Sequence, residues 1–135
     1  PLRKHKLTWI RYSNKEIEQL ILKLAKQGKS SSDIGMILRD TYGIPNVREL
    51  LKKKLYKVLE ENKLMPKIPY DLISLIKNEI RIPKHLDRNK KDMHAKRGLI
   101  LTESKIHRLS KYYKKTGMLP ENWVYDRKQA ELMIS

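Results

Sequence analysis

Between residues 85 and 113 the sequence reads HLDRNKKDMHAKRGLILTESKIHRLSKYY. It crowds histidine, aspartate, lysine, arginine and tyrosine together, and the chemistry these types share is the gripping of a polyanion. Lys and Arg neutralise phosphates. Asp92 adds direction, since a carboxylate accepts hydrogen bonds from a guanine amino edge or a sugar hydroxyl, groups that an RNA duplex displays in its wide minor groove. Residues 81–115 hold twelve basic and three acidic residues, so +9 of the total charge of +16 sits in 35 of 135 residues. A chain so charged selects a polyanionic partner.

Lys105, Arg108, Lys111, Lys114 and Lys115 recur every three or four residues, which places them along one side of a helix with only Glu103 to offset them. A helix side that merely faces solvent would carry more compensating carboxylates. The run Asn89-Lys90-Lys91-Asp92-Met93-His94 reads as a polar turn. Asp92 has two readings there: a contact to RNA, or the cap of the next helix with His94 packed inward, and spacing alone favours the cap. Lys96 and Arg97 extend the basic run. Gly98 after Arg97 either lets backbone come close to a phosphate or eases the start of the helix. Tyr112 and Tyr113 are adjacent and so point about 100° apart; one packs inward while the other faces a ligand.

Rigid elements must hold these groups, and helix signals are dense. Ser13 with Glu16 forms a capping box for a helix running to about Gln27, with Ile17, Leu20, Ile21 and Leu24 on one stripe and Gly28 ending it. Ser30 or Ser31 caps a second helix through Ile34, Ile37 and Leu38, which Gly43 and Pro45 terminate. Asn46 with Glu49 opens a third helix that buries Val47, Leu50, Leu51, Leu55, Val58 and Leu59. The two prolines of KLMPKIP, residues 63–69, mark a linker. Pro69 suits the first turn of a fourth helix with Leu72, Ile73, Ile76 and Ile80, which Pro83 interrupts with a kink near Arg81. Residues 89–97 form a polar turn, and the fifth helix follows through Leu99, Ile106, Leu109 and Tyr113 to Gly117. The remainder is a tail anchored by Trp123, with a short helix capped by Asp126 with Gln129. The class is all-α: an N-terminal arm and three-helix unit (1–62), a core of two long antiparallel helices (63–116) and a C-terminal tail (117–135).

Several function classes drop out. With no cysteine there is no disulfide framework, thiolate nucleophile or cysteine-based zinc site. His5, His85, His94 and His107 lack the i, i+4 pairing of metal-binding helices, no glycine-rich phosphate loop is present, and no serine has convincing His and Asp partners, so neither catalysis nor a cofactor is expected. Met36, Met65, Met93, Met118 and Met133 are scattered gap-fillers. No apolar run approaches the roughly 20 residues that cross a bilayer, and no secretory signal opens the chain; a soluble, unexported protein is expected. Pro1 followed by Arg3, Lys4, His5 and Lys6 suggests that a basic start precedes the chain. A rival to RNA binding comes from the first half, where helices and glycine turns resemble a helix-turn-helix that would set Arg48, Lys52 and Lys53 in a DNA major groove. A three-helix bundle with solvated lysines explains the same pattern, and only Asn46 and Arg48 suit the start of a recognition helix.

His85-Leu86, Lys90-Lys91-Asp92, His94, Arg97-Gly98-Leu99 and Arg108-Leu109 with Tyr112, in that order, resemble the ribosomal small-subunit protein S-fifteen family, called S-thirteen in eukaryotic nomenclature. LAKQG, IGMILRDTYGIPNV, LMPKIPYDL and LPENW look like its archaeal and eukaryotic branch, so the resemblance spans nearly the whole chain. It implies an all-helical structural protein that binds small-subunit rRNA at a three-way helical junction and a nearby minor groove. His85 and Asp92 match positions that face the minor groove, and Arg108 and Tyr112 lie on the helix bordering it. Lys90, Lys91, Lys96 and Arg97 would hold phosphates; His94, together with Lys111 and Lys115 on the basic helix side, completes the candidate RNA-binding set. Neighbouring ribosomal proteins and large-subunit rRNA at the subunit interface are the further partners implied, with no membrane and no homo-oligomer. The location implied is the cytoplasmic ribosome, with nucleolar assembly in a eukaryote. Against the bacterial pattern, Asn89 and Met93 stand where histidines are common, Ala95 where a serine contacts RNA, and Pro83 interrupts the fourth helix. More recognition should therefore fall on His85, Asp92 and phosphate contacts.

Overall fold

In a computed structural model, which describes residues 8–134, the chain divides between Met65 and Pro66 into two compact units. Arg3, Lys4, His5 and Lys6 lie outside the described residues. Among those described there are seven α-helices, one 3-10 turn and no strand, so the all-α class holds.

The first unit holds α1 (Asn14–Lys26), α2 (Ser31–Thr41), α3 (Val47–Leu51) and α4 (Leu55–Glu61). Ser13 caps α1: its hydroxyl accepts from the Glu16 amide at 3.3 Å while Glu16 Oε2 accepts from the Ser13 amide at 2.9 Å. At α2 the choice falls on Ser30, which accepts from the Asp33 amide at 3.2 Å. The third helix expected through Leu59 is instead two helices. Asn46 starts it, accepting from the Arg48 amide at 3.2 Å, but the return bond expected from Glu49 is not made. Lys52 then turns left-handed at φ 57° and the chain restarts at Leu55. With this break Val47, Leu51, Val58 and Leu59 all reach the core built by Ile17, Ile21, Leu24, Ile34, Leu38 and Ile44.

The second unit is an antiparallel pair, α5 (Tyr70–Arg88) and α6 (Met93–Thr116), closed by a 3-10 turn (Arg127–Gln129) and α7 (Ala130–Met133). Asp71 in the first turn of α5 accepts from the Tyr113 hydroxyl near the end of α6, which shows the opposed directions. Three expectations are corrected. Pro69 occupies the N-cap of α5 rather than its first turn. Pro83 does not interrupt α5, which continues to Arg88; packing of Leu72, Ile76 and Ile80 in the core outweighs one lost backbone hydrogen bond. The polar turn is also shorter than 89–97, because Asp92 caps α6 by accepting from the Ala95 amide at 3.0 Å and so draws Met93 to Arg97 into the helix. Gly98 is thus inside α6, with open space where a side chain would begin.

The segment after Gly117 is part of the core rather than a loose tail. Leu119 and Ala130 are buried with Ile68, Leu72, Ile76, Ile106 and Tyr113, and Trp123 and Tyr125 pack against them. Asp126 caps the 3-10 turn, accepting from the Lys128 amide at 2.9 Å. One charged group sits within this core: Glu79 is 1% exposed. Neither of its oxygens makes a well-formed hydrogen bond: the Tyr125 hydroxyl is near enough for a weak one only, and Arg127 Nε stands 4.0 Å from Oε1. Burial first, and then the weak hydrogen bond to Glu79 and the charge of its carboxylate, push the Tyr125 hydroxyl well above the ordinary tyrosine range.

Candidate nucleic-acid interface

The short link from α5 to α6 brings four expected residues together. His85 stands on the last turn of α5, and the cap requirement of α6 fixes Asp92 across from it. His85 Nε2 and Asp92 Oδ2 are 2.9 Å apart, a hydrogen bond with Nε2 as the protonated nitrogen. Asn89 adds a longer contact, Nδ2 to His85 Nδ1, at 3.5 Å. The His85 hydrogen bond, then the Ala95 amide, hold the Asp92 carboxyl below the usual aspartate range, so it is an anion at neutral pH. A carboxylate has about four acceptor positions. Two are taken here, which leaves Asp92 able to accept from a ligand while it caps the helix. Both readings of Asp92 are thus compatible in one side chain.

His85, Asp92, Lys90 and Lys91 line an open depression together with Arg88 and Asn89. Arg88 was not among the residues singled out from the sequence. Its place one helical turn from His85, at positions i and i+3, was the available signal. His94, Lys96 and Arg97 do not line this depression; they lie exposed on the first turns of α6. His94 is therefore not packed inward.

A second open depression lies where the sides of α5 and α6 meet, lined by Leu75, Lys105, Arg108, Leu109 and Tyr112. The adjacent tyrosines divide as their spacing requires: Tyr113 is 8% exposed and Tyr112 58%. Burial and the hydrogen bond to Asp71 push the Tyr113 hydroxyl up to about 12. Its neighbour presents a bare aromatic ring beside the cations of Lys105 and Arg108. Arg108 Nε reaches back to the Ser104 carbonyl at 3.4 Å. Lys111 and Lys115 are exposed on the same helix but line neither depression. Leu75, which sequence spacing assigned to no role, supplies part of the apolar floor. An apolar floor, an exposed ring and a basic rim can hold a ribose or base against the protein while phosphates meet the cations.

The first unit offers less for DNA. Helix α3, at five residues, is only about 7 Å long. Lys53, one of the three groups assigned to a major groove, is held by Glu61 at 3.0 Å. No group of His, Cys, Asp or Glu among the described residues is arranged to hold a metal ion, and no described helix is long and apolar enough to cross a membrane.

Residues 1–44 match the family described as Ribosomal S13/S15 N-terminal domain, and residues 55–133 match Ribosomal protein S15. The chain is 49% identical over 135 residues to small ribosomal subunit protein uS15 of Methanocella arvoryzae, covering 100% of this chain and 89% of that protein. It is 49% identical over 126 residues to the protein of the same name from Methanobrevibacter smithii, covering 93% and 96%. A third, from Sulfolobus acidocaldarius, is 45% identical over 135 residues, covering 100% and 88%. With matches of this extent, the chain belongs to the ribosomal protein S15 family.

Proposed function

We propose that this protein is a structural constituent of the small ribosomal subunit and binds small-subunit rRNA through α5 and α6, supporting subunit assembly and translation. The observation that carries this reading is the pair of open depressions on one helical hairpin, each rimmed by cations, within the segment that holds over half of the net charge. His85 and Asp92 face hydrogen-bonding groups of a minor groove. Lys90, Lys91, Lys96 and Arg97 meet phosphates around them, with His94 beside them, and Arg108, Lys111, Tyr112 and Lys115 lie on the helix that borders that groove. No step of catalysis is assigned to the protein. Its other partners are neighbouring ribosomal proteins and, at the subunit interface, large-subunit rRNA, in the ribosome of the cytoplasm.

Competition binding tests this. A small-subunit rRNA fragment containing the junction should displace duplex DNA of equal length at moderate salt; equal binding of the two overturns the reading. With about six phosphates neutralised, the log–log dependence of affinity on salt should have a slope of about −4 to −5, and a flat profile contradicts it.

A further inference from the structure

Two lysines hold a backbone conformation that this chain elsewhere gives to glycine. Lys52, after α3, and Lys63, after α4, have φ of 57° and 56°, in the region occupied by Gly28, Gly43 and Gly117. The parallel is close at Lys63. The Leu64 amide reaches back to the Leu59 carbonyl at 2.9 Å, as Lys29 does to Leu24 at 3.3 Å around Gly28 and Met118 to Tyr113 at 3.0 Å around Gly117. A Cβ is strained in this conformation and glycine avoids the strain. Lysine is therefore the poorer residue for these turns, and its presence points to a use for the side chain outside the fold.

Both lysines are exposed, and among the described residues no ion pair engages either. Residues 52–63 carry five lysines against Glu60 and Glu61, and Glu61 is taken by Lys53. Lys54 stands 5.8 Å over the exposed ring of Tyr56, and Lys57 is also exposed. The seven residues of α4 put about 10 Å of helix between the two strained turns. Compact, flexible ammonium groups suit phosphates as point charges. A protein partner would want a cluster of apolar anchors, and this segment exposes only Tyr56 among large apolar side chains.

We propose that α4 and its two flanking turns form a second RNA-phosphate contact, made by Lys52, Lys54, Lys57 and Lys63 and separate in the chain from the α5–α6 surface. This rests on the RNA-binding reading above. The test uses the full chain with Lys52→Gly and Lys63→Gly together, and intact small-subunit rRNA. The double variant should melt at the same temperature or a few degrees higher, yet bind the rRNA about ten-fold more weakly at about 0.1 M salt, with a log–log slope shallower by about 2. Adding Lys54→Gln and Lys57→Gln should weaken binding further. Wild-type affinity and slope in the double variant overturn the proposal, as does a lowered melting temperature. So does unchanged rRNA affinity with failure to enter the small-subunit particle, which would assign the lysines to a protein neighbour. A wild-type chain that does not prefer rRNA to duplex DNA overturns the underlying reading instead, and Arg108→Ala is the control that must lose affinity.

Discussion

The Tyr113 hydroxyl donates to Asp71, tying the end of α6 to the first turn of α5. Asp71 meanwhile uses its other oxygen for the Leu72 amide at 2.8 Å, so one carboxylate orders the start of α5 and clamps the hairpin. Tyr112, one residue before the clamp, is thereby held with its ring outward beside Leu75 and Arg108.

Tyr113→Phe should destabilise the second unit by about 1 kcal/mol at neutral pH, the usual net worth of one hydrogen bond. The alkaline behaviour is more specific. The hydroxyl is raised to about 12 in the fold and is near 10 when unfolded, so its contribution is complete below pH 10 and disappears as pH rises towards 12. Alkaline melting of the wild type should fall more steeply across that window than melting of the variant. Identical curves would show that the clamp contributes nothing.

Two substitutions separate the cap that Asp92 makes from the RNA contact proposed for it. Asp92→Asn keeps an oxygen for the Ala95 amide but removes the charge; Asp92→Ala removes both. If RNA contact is real, both variants should bind rRNA about ten-fold more weakly, while only Asp92→Ala frays the start of α6 by amide exchange. Binding that falls only when the helix frays would leave Asp92 as a cap alone. Because its carboxyl is held below the usual range, the support it gives is present above that range and is lost as pH falls through the depressed value. The Ala95 amide shift in an acid titration should report that midpoint.

Pro83→Ala should stabilise the second unit by about 1–3 kcal/mol, since alanine restores an amide to donate to the Glu79 carbonyl and relieves the ring's clash with the preceding turn. Thermal melting reads the gain. A loss instead would mean that the half-buried ring packs better than alanine can.

Glu79→Gln should raise stability by about 1 kcal/mol, because a carboxylate in an apolar core with no more than a weak hydrogen bond is costly and Arg127 at 4.0 Å compensates it poorly. The Tyr125 hydroxyl, which Glu79 helps to raise, should then ionise at lower pH. A lower melting temperature with unchanged tyrosine titration would show that Arg127 matters more than its distance suggests.

The caps were the most legible features of this chain. Ser13 with Glu16, and Asn46, act where their spacing placed them. The division of the third helix was hidden because Val47, Leu51, Leu55 and Val58 keep helical spacing across the break, and periodicity is blind to a left-handed residue within an apolar pattern. Pro83 was over-read: local cost was weighed without the packing that offsets it. Leu119 and Ala130 were missed because burial after the last long helix depends on where the chain folds back, which no local period encodes. Glu79 had a visible signal, since it sits three residues after Ile76 on the buried side. In the candidate interface, the grouping of Lys90, Lys91 and Asp92 around one depression was readable from charge and turn type. The His85–Asp92 bond, which spans two helices, was not readable from either alone.

The two cores also differ in when they can exist during synthesis. All the buried residues of the first, from Ile17 to Leu59, precede Met65, so that unit can fold while the rest of the chain is still being made. The second cannot close until Ala130 has emerged. At roughly 5–20 residues per second, the basic hairpin of α5 and α6 spends about one to three seconds without the segment that completes its packing. During that interval its cations are already available to any nearby polyanion.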